Sequence, residues 1–468
     1  MGFAHLGKKF FSHMEKGGLR SSLGAMLLYC GRRMNRTMDL RGLDVYLRNV
    51  PLKSNKTLRF HTPLEELEYV GKGLRNFHVD TEDIQKTHEI NKKWQRNPTE
   101  IKRALWIMPD FRSVHNGGPN TILRHAHYLA DCGIHNTIVI NDGVVHKSKQ
   151  DMARKAAKVF GDNANIEFVI NPCGQPLLPE LLPDSDICFA TLWHTAYTLS
   201  RYHRTKAKFY FIQDYETHFY PANHEFGLAD QTYQMGFLGL FNTPGLAEAV
   251  RHDHPIEGKA FIPGVDADVF YPPENRPSND YKKIFFYGRP EVPRNGYDLG
   301  YAGLVEIQSH FPDVEIFIAG HHEDYSTTGL RAHFLPYQEY RSTGNLYRSC
   351  DFVLGFMFTP HPSYIPLQAI ACGTIPICVD NPYIRWIIRD KENAMGVRPS
   401  PQAICEAYSY LRNNPEERKR MRSIAVSTAP FQSWQQVMSE NYEWIQSGAI
   451  NRLDTASTKK LQNVAQAA

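Results

Sequence analysis

From about residue 104 to the 440s, short apolar runs alternate with stretches of helical period. ALWIMPD (104–110), NTIVIND, IEFVINP, DICFATLW and KFYFIQDY are rich in β-branched, aliphatic and aromatic residues, the pattern of strands buried in a parallel sheet. After the first of them, Ile122, Leu123, Ala126, Leu129 and Ala130 recur near a 3.6-residue period, which predicts a helix. GLFNT closes this first set. AFIPGVDADVFYPP (260–273) then breaks the rhythm with glycine and proline, predicting a hinge near 262–275. The alternation restarts with KKIFFYG, a helix over about 297–309, VEIFIAG, a short RAHFLP strand and a helix to Ser349. Two doubly wound α/β domains follow from this order. PQAICEAYSYLRNN and PEERKRMRSIAV read as amphipathic helices, and FQSWQQVMSENYEWIQ as a last one.

The second domain is organised around DFVLGFMFTPHPSYIPLQAIACGTIPICVD (351–380). A buried strand from Asp351 to Met357 ends in TPHPS, whose prolines forbid further ladder pairing. Pro366 suits the start of a helix, LQAIAC continues it, and Gly373 can end it in the left-handed conformation. The loop therefore opens from a strand's carboxyl end onto a helix N-terminus, where open α/β sheets bind ligands and free amides attract phosphate.

Composition is that of soluble globular protein, 42% hydrophobic over 468 residues. No apolar run reaches the roughly 18 residues that cross a bilayer, and Lys8, Lys9, Lys16 and Arg20 interrupt any signal-peptide core. Eight scattered cysteines without a C-x-x-C pair read as reduced cytosolic thiols, not a disulfide frame or zinc site. Charge changes the picture more. Residues 1–60 hold 12 Lys+Arg against 3 Asp+Glu, a net +9, and the remainder is −5. A basic arm that mixes cations with FAHLGKKFF and LGAMLLYC suits an anionic membrane face; a helical extension packed on its own body is the alternative. No nucleic-acid motif accompanies it.

Four constellations carry chemistry. Gly117 and Gly118 in NGGPN leave space for a ligand oxygen near backbone amides, with Pro119 starting the helix; without G-x-G-x-x-G, a dinucleotide is disfavoured. Arg289 and Arg294 on FFYGRPEVPRNG are spaced to converge on one diphosphate. His361, Ser363 and Gln368 line the loop of the 351–380 unit, with the amides of Ser363, Tyr364 and Ile365 open to phosphate. His194, and Asp214, Glu216 and His218, follow adjacent strand ends as acid, base or hydroxyl partners. The D-x-D pairs Asp184–Asp186 and Asp266–Asp268 read as turn and hinge, so no metal site is assigned.

The hinge IPGVDADVF, G-R-x(4)-R-N-G after a strand, and A-x-A-C-G-x-P-I after a phosphate loop together resemble the GT-B retaining glycosyltransferases of family four. WIMPDFRSVHNGGPNTILRHAHYLA, FYFIQDYETHFYP and HPSYIPLQAIACG are similar to the bacterial WsaF-type rhamnosyltransferases, over roughly residues 100–445. The resemblance implies two Rossmann-like domains facing across a cleft, behind a helical N-terminal extension. It makes Arg289 the diphosphate arginine, with Arg294 where a lysine is usual. The family's E-x(7)-E falls on Pro360 and Gln368, so Gln368 is left to hold the ribose without charge, which fits a deoxyribose nucleotide.

The domain scheme is then a basic extension (1–100), an acceptor-side domain (101–262), a nucleotide-sugar domain (263–428), a helix packing back on the first domain (429–450) and a disordered tail (451–468). The implied activity is transfer of rhamnose from dTDP-rhamnose, a co-substrate rather than a cofactor, onto a glycan or lipid-linked glycan at the cytoplasmic face of the membrane. His194, Asp214 and Glu216 would orient sugar or acceptor hydroxyls, without a metal. A nucleotide-sugar epimerase of the same fold and a non-catalytic glycan-assembly subunit are the alternatives.

Overall fold

This computed structural model describes residues 77–449, apart from positions 116, 144, 146–147, 174, 275–280, 321–328, 337 and 429–430. The basic arm 1–60 and the tail 451–468 lie outside the described residues. Helix α1 (Thr81–Arg96) precedes the first sheet. There follow β1 (Arg103–Pro109), α2 (Gly117–Asp131), β2 (His135–Gly143), α3 (Lys149–Phe160), β3 (Ile166–Pro172), β4 (Ile187–Ala190), α4 (Trp193–Arg201), β5 (Ala207–Ile212), α5 (His224–Gln231), β6 (Leu238–Asn242), α6 (Pro244–Asp253) and β7 (Gly258–Phe261).

The strands pair in parallel in the order β3-β2-β1-β4-β5-β6-β7. Every residue of β4, β5 and β6 is buried, which is why their sequences are unbroken apolar runs. Besides Asn242 at the end of β6, Lys208 on β5 is the exception. Its Nζ donates to Thr87 Oγ1 (3.0 Å) and the Ser200 carbonyl (2.8 Å), tying α1 to the sheet, and burial pushes its pKa down to about 8. The sheet does not close at GLFNT as expected. GKAF adds β7, a four-residue run whose glycine and lysine give no strand signal. Gly258 is required there, because a Cβ would lie 1.9 Å from the Gly239 carbonyl oxygen.

The second sheet contains β8 (Lys283–Tyr287), β9 (Glu315–Ala319), β10 (His333–Phe334), β11 (Phe352–Leu354), β12 (Ile375–Val379) and β13 (Met395–Val397), all parallel, in the order β10-β9-β8-β11-β12-β13. Its helices are α7 (Tyr297–His310), α8 (Tyr340–Ser349), α9 (Ile365–Ala371), α10 (Pro401–Asn413) and α11 (Pro415–Thr428). The last helix, α12 (Trp434–Gln446), returns to the first sheet. Val437, Trp444 and Ile445 share a core with Trp106, Leu123 and Phe209, and Asn441 Nδ2 donates to His125 Nε2 at 3.1 Å.

The chain thus crosses between the sheets twice, and the two crossings touch. Val265 N–H donates to the Gln432 carbonyl (3.1 Å), and a Cβ on Gly264 would lie 2.6 Å from Trp434 N. Asp266 accepts two hydrogen bonds from the Arg124 guanidinium (3.1 and 2.6 Å) and one from Tyr340 Oη (2.5 Å), joining the two domains. Asp268 pairs with Arg341. This D-x-D is occupied by arginines, and among the described residues no group of three ligating side chains could hold a metal. No helix among them is long and apolar enough to cross a membrane.

In each sheet the strand order reverses beside the first strand. β1 lies between β2 and β4, and β8 between β9 and β11. Connections leaving in opposite directions open a crevice at the carboxyl ends of the strands. The candidate residues are clustered at these two switch points.

Candidate active site

Between the two sheets lies a cleft of about 480 Å³. Its first wall is built by residues following β1, β4, β5 and β6; its second follows β8 and β11; Trp434 of α12 contributes at the junction. Phe270, Phe285, Tyr287 and Tyr347 make part of the second wall aromatic.

Arg289 and Arg294 both line the cleft. Asn295, buried beside them, is oriented with its amide oxygen accepting from Arg289 Nη2 (2.8 Å) and Nε (3.2 Å), which fixes that guanidinium. Arg294 stacks over the Phe219 ring at 4.1 Å, a cation–π contact from the opposite wall. Burial, reinforced by the positive charge of Arg289, lowers its pKa, and Asp214 opposes that shift.

The loop after β11 differs from expectation in detail. The strand stops at Leu354 rather than Met357, because the ladders to β8 and β12 cover only residues 352–354. Pro366 is the second residue of α9, and Gly373, at φ +66°, lies just past its end. Ser363 is held at φ +67°, a conformation costly for a residue with a Cβ. Its N–H donates to His361 Nδ1 (3.0 Å), so the imidazole proton sits on Nε2. Burial, and the charge of Arg294 after it, push that histidine down to about 3, keeping it neutral.

Tyr364 crosses the cleft. Its hydroxyl lies 2.5 Å from Thr121 Oγ1 and accepts from Asn242 Nδ2 at 2.9 Å. The two glycines of the expected loop both line the cleft, but their placement differs. Gly117 and Gly118 form the first turn of α2, not a loop before it, and a Cβ on Gly117 would lie 2.9 Å from the Tyr364 ring. The bare position admits a protein ring, and Gly118 faces Gln213. Ile365 and Gln368 also line the cleft, and Gln368 Oε1 accepts from Tyr347 Oη at 3.3 Å, leaving its amide N–H groups to a ligand.

The acids separate into different roles. Asp214 lies 3.6 Å from Arg294 Nε, and burial raises its pKa to about 6 against the pull of that arginine. Glu216 Oε2 accepts from Trp193 N–H (2.5 Å) and Tyr210 Oη (2.9 Å), anchoring the start of α4 to β5. Burial raises it to about 8, so it holds its proton at neutral pH. His194 is the second residue of α4, half-buried against Trp193, and after β4 it is Thr191 and Leu192 that line the cleft. Burial pushes it down to about 4. His218 is likewise absent from the cleft lining.

The Glu216 assignment has a testable consequence. Between its ordinary value of 4.5 and about 8, the folded state holds a proton that the unfolded state has lost. Stability therefore falls as pH rises through that window. Glu216→Gln removes this loss. Relative to wild type, it is expected to gain on the order of 2–4 kcal/mol between pH 5 and 8.5, read by thermal melts at each pH.

Polar atoms without a hydrogen-bond partner among the described residues converge on this cleft: Gln213 Oε1, Asn242 Oδ1, Arg294 Nε and His361 Nε2. Buried groups are normally satisfied, so such a cluster marks a place for a polar ligand. Sequence reading did not find Gln213, Phe219, Asn242, Tyr364's side-chain role or Trp434. The return of α12 to the first domain was expected, but nothing in its sequence placed Trp434 at the cleft.

Two parallel-sheet Rossmann-like domains facing across a cleft define the GT-B fold. Solved structures of that fold are similar: Anabaena HepE in complex with UDP-glucose (TM-score 0.56, 14% identity, 74% of this chain and 99% of that one) and a glycosyltransferase from Rickettsia africae (TM-score 0.55, 15% identity, 75% and 100%). Residues 110–243 match the family model "WsaF, N-terminal domain" and residues 282–409 match "WsaF, C-terminal domain". The chain belongs to the WsaF family. It is also 36% identical over 342 residues to the O-antigen biosynthesis protein RfbC of Myxococcus xanthus, covering 72% of this chain and 26% of that protein. The chain thus spans about a quarter of that relative.

Proposed function

We propose that the protein is a glycosyltransferase that moves rhamnose from dTDP-rhamnose onto a growing bacterial surface polysaccharide. The observation that carries this reading is the convergence of Arg289 and Arg294 in a cleft between two Rossmann-like domains. The leaving group of such a transfer is a nucleoside diphosphate, and stabilising its developing charge is the largest electrostatic demand of the reaction. The two guanidiniums meet that demand, with the amides of Ser363, Tyr364 and Ile365 nearby.

The aromatic wall of Tyr287 and Phe285 suits the base and ribose. Gln368 offers N–H donors to one ribose hydroxyl, which favours a deoxyribose nucleotide. Asp214 faces the acceptor side. The structural neighbour HepE is described with UDP-glucose, and RfbC by its part in O-antigen biosynthesis; both support a sugar-nucleotide reading of this cleft. Incubation with dTDP-rhamnose, UDP-glucose and other sugar nucleotides, with acceptor glycans, is the test. Release of nucleoside diphosphate and glycan extension are expected, fastest with dTDP-rhamnose. Turnover with no donor would refute the activity, and equal or faster turnover of a ribonucleotide sugar would refute the donor assignment.

A further inference from the structure

A row of hydrogen bonds crosses the cleft, and its direction follows from its chemistry. Asn242 Nδ2 lies 2.9 Å from Tyr364 Oη, Tyr364 Oη 2.5 Å from Thr121 Oγ1, and Thr121 Oγ1 2.8 Å from the Gly117 carbonyl oxygen. The carbonyl only accepts, so the one hydroxyl proton of the threonine lies in that contact. Tyr364 therefore donates to Thr121, and its oxygen accepts from the Asn242 amide. The opposite order would leave the last contact without a proton. With its nitrogen turned to Tyr364, Asn242 presents Oδ1 as a fixed acceptor. That oxygen has no hydrogen-bond partner among the described residues, although Asn242 lines the cleft and is only 1% exposed.

His361 is the complement. Its Nδ1 accepts from the Ser363 N–H, so Nε2 carries the proton, and this donor also lacks a partner among the described residues. The side chain lines the same cleft at 5% exposure, with its ring 5.7 Å from that of Tyr364. Buried groups left unpaired are unfavourable, and a ligand that pairs them gains the difference. The two atoms also define what that ligand is. Phosphate oxygens only accept, and Asn242 Oδ1 repels them; an ammonium only donates, and the imidazole N–H repels it. A hydroxyl does both, and a sugar ring carries several.

We propose that Asn242 Oδ1 and His361 Nε2 read hydroxyls of the transferred sugar, the asparagine accepting from one and the histidine donating to one, while Tyr364 holds the asparagine amide in the orientation that makes it an acceptor. This rests on the donor reading given above. The transferred sugar is assigned, rather than the acceptor glycan, because His361 belongs to the loop whose amides at Ser363, Tyr364 and Ile365 are offered to the diphosphate. The sugar is bonded directly to that group. Asn242 ends β6 in the first domain and His361 follows β11 in the second, so each domain supplies one half of the recognition. Tyr364 is a positioning residue, acting on the sugar through Asn242.

The test compares a sugar nucleotide with its bare nucleotide. Calorimetry with dTDP and dTDP-rhamnose, and with UDP and UDP-glucose, is run on wild type, Asn242→Ala, His361→Asn and Tyr364→Phe. The His361→Asn side chain still accepts from the Ser363 N–H, as in an Asx turn, but stops short of the imidazole Nε2 position. For the pair that wild type binds, affinity for the nucleotide should stay within about twofold. Affinity for the sugar nucleotide should fall about three- to tenfold in Asn242→Ala and His361→Asn, the effect of one neutral hydrogen bond, and less in Tyr364→Phe. Equal weakening of nucleotide and sugar nucleotide would overturn the proposal, since it marks a structural role. So would unchanged affinity for the sugar nucleotide, or a loss confined to the KM of the acceptor. Should Asn242→Ala fail to fold, the other two variants decide by the same ratio. Failure of the wild type to bind either nucleotide is a separate outcome: it removes the donor reading, and this proposal with it.

Discussion

Arg294→Ala is expected to lower sugar transfer by about 10²–10³-fold, equivalent to about 2.7–4 kcal/mol of transition-state stabilisation. The guanidinium sits in the cleft over Phe219, with Asp214 at 3.6 Å, and its Nε has no hydrogen-bond partner among the described residues. Little of the fold therefore depends on it, whereas the departing diphosphate gains a further negative charge as its bond to the sugar breaks. Removing the arginine also strands Asp214 without a cation, and that carboxyl then takes up a proton more readily. The change should appear in kcat more than in KM, with the melting temperature little altered. Nucleoside diphosphate release measured beside thermal unfolding checks both parts.

Gly245→Ala is expected to cut transfer at least about tenfold by a different route. Gly245 lies in the first turn of α6, on the first domain, and faces the backbone of Tyr383 on the second. A Cβ there would lie 1.6 Å from the Tyr383 carbonyl oxygen. A backbone group cannot rotate aside as a long side chain can, so the two domains must separate locally. That separation pulls Tyr364 away from Thr121 and Asn242 and widens the gap between the arginines and the opposite wall. Since closure positions donor and acceptor groups, misplacement by an ångström costs heavily. Far-UV circular dichroism should match wild type while activity falls; unchanged activity would show that this contact is dispensable.

Where sequence pattern and structure agree, the cause is burial. β1, β4 and β5 carry apolar runs because both faces are covered, and helix period marks α2 for the same reason. The 351–380 unit was legible because proline and glycine act through backbone geometry that does not depend on distant partners. Arg289 and Arg294 were legible because their loop follows a strand end at a switch point. What escaped notice depended on the other domain. Gly117 looked like space for a ligand, yet the group that fills it is 247 residues further along the chain, at Tyr364. Strands β7 and β13 were too short to carry a pattern. His194 falls inside α4 rather than in the loop after β4, because the helix already begins at Trp193. Glu216 and Asp214 are two residues apart and indistinguishable in sequence, but Trp193 N–H and Tyr210 Oη bind one and Arg294 faces the other.

The central claim is that the cleft holds a nucleoside diphosphate on its paired arginines. Calorimetric titration of dTDP and dTDP-rhamnose into wild type and into the Arg289→Ala, Arg294→Ala double variant tests it most directly. The account predicts saturable binding to wild type at one site, weakened at least about 100-fold in the double variant, with the variant's melting temperature close to wild type. Equal affinity in the two proteins would contradict it.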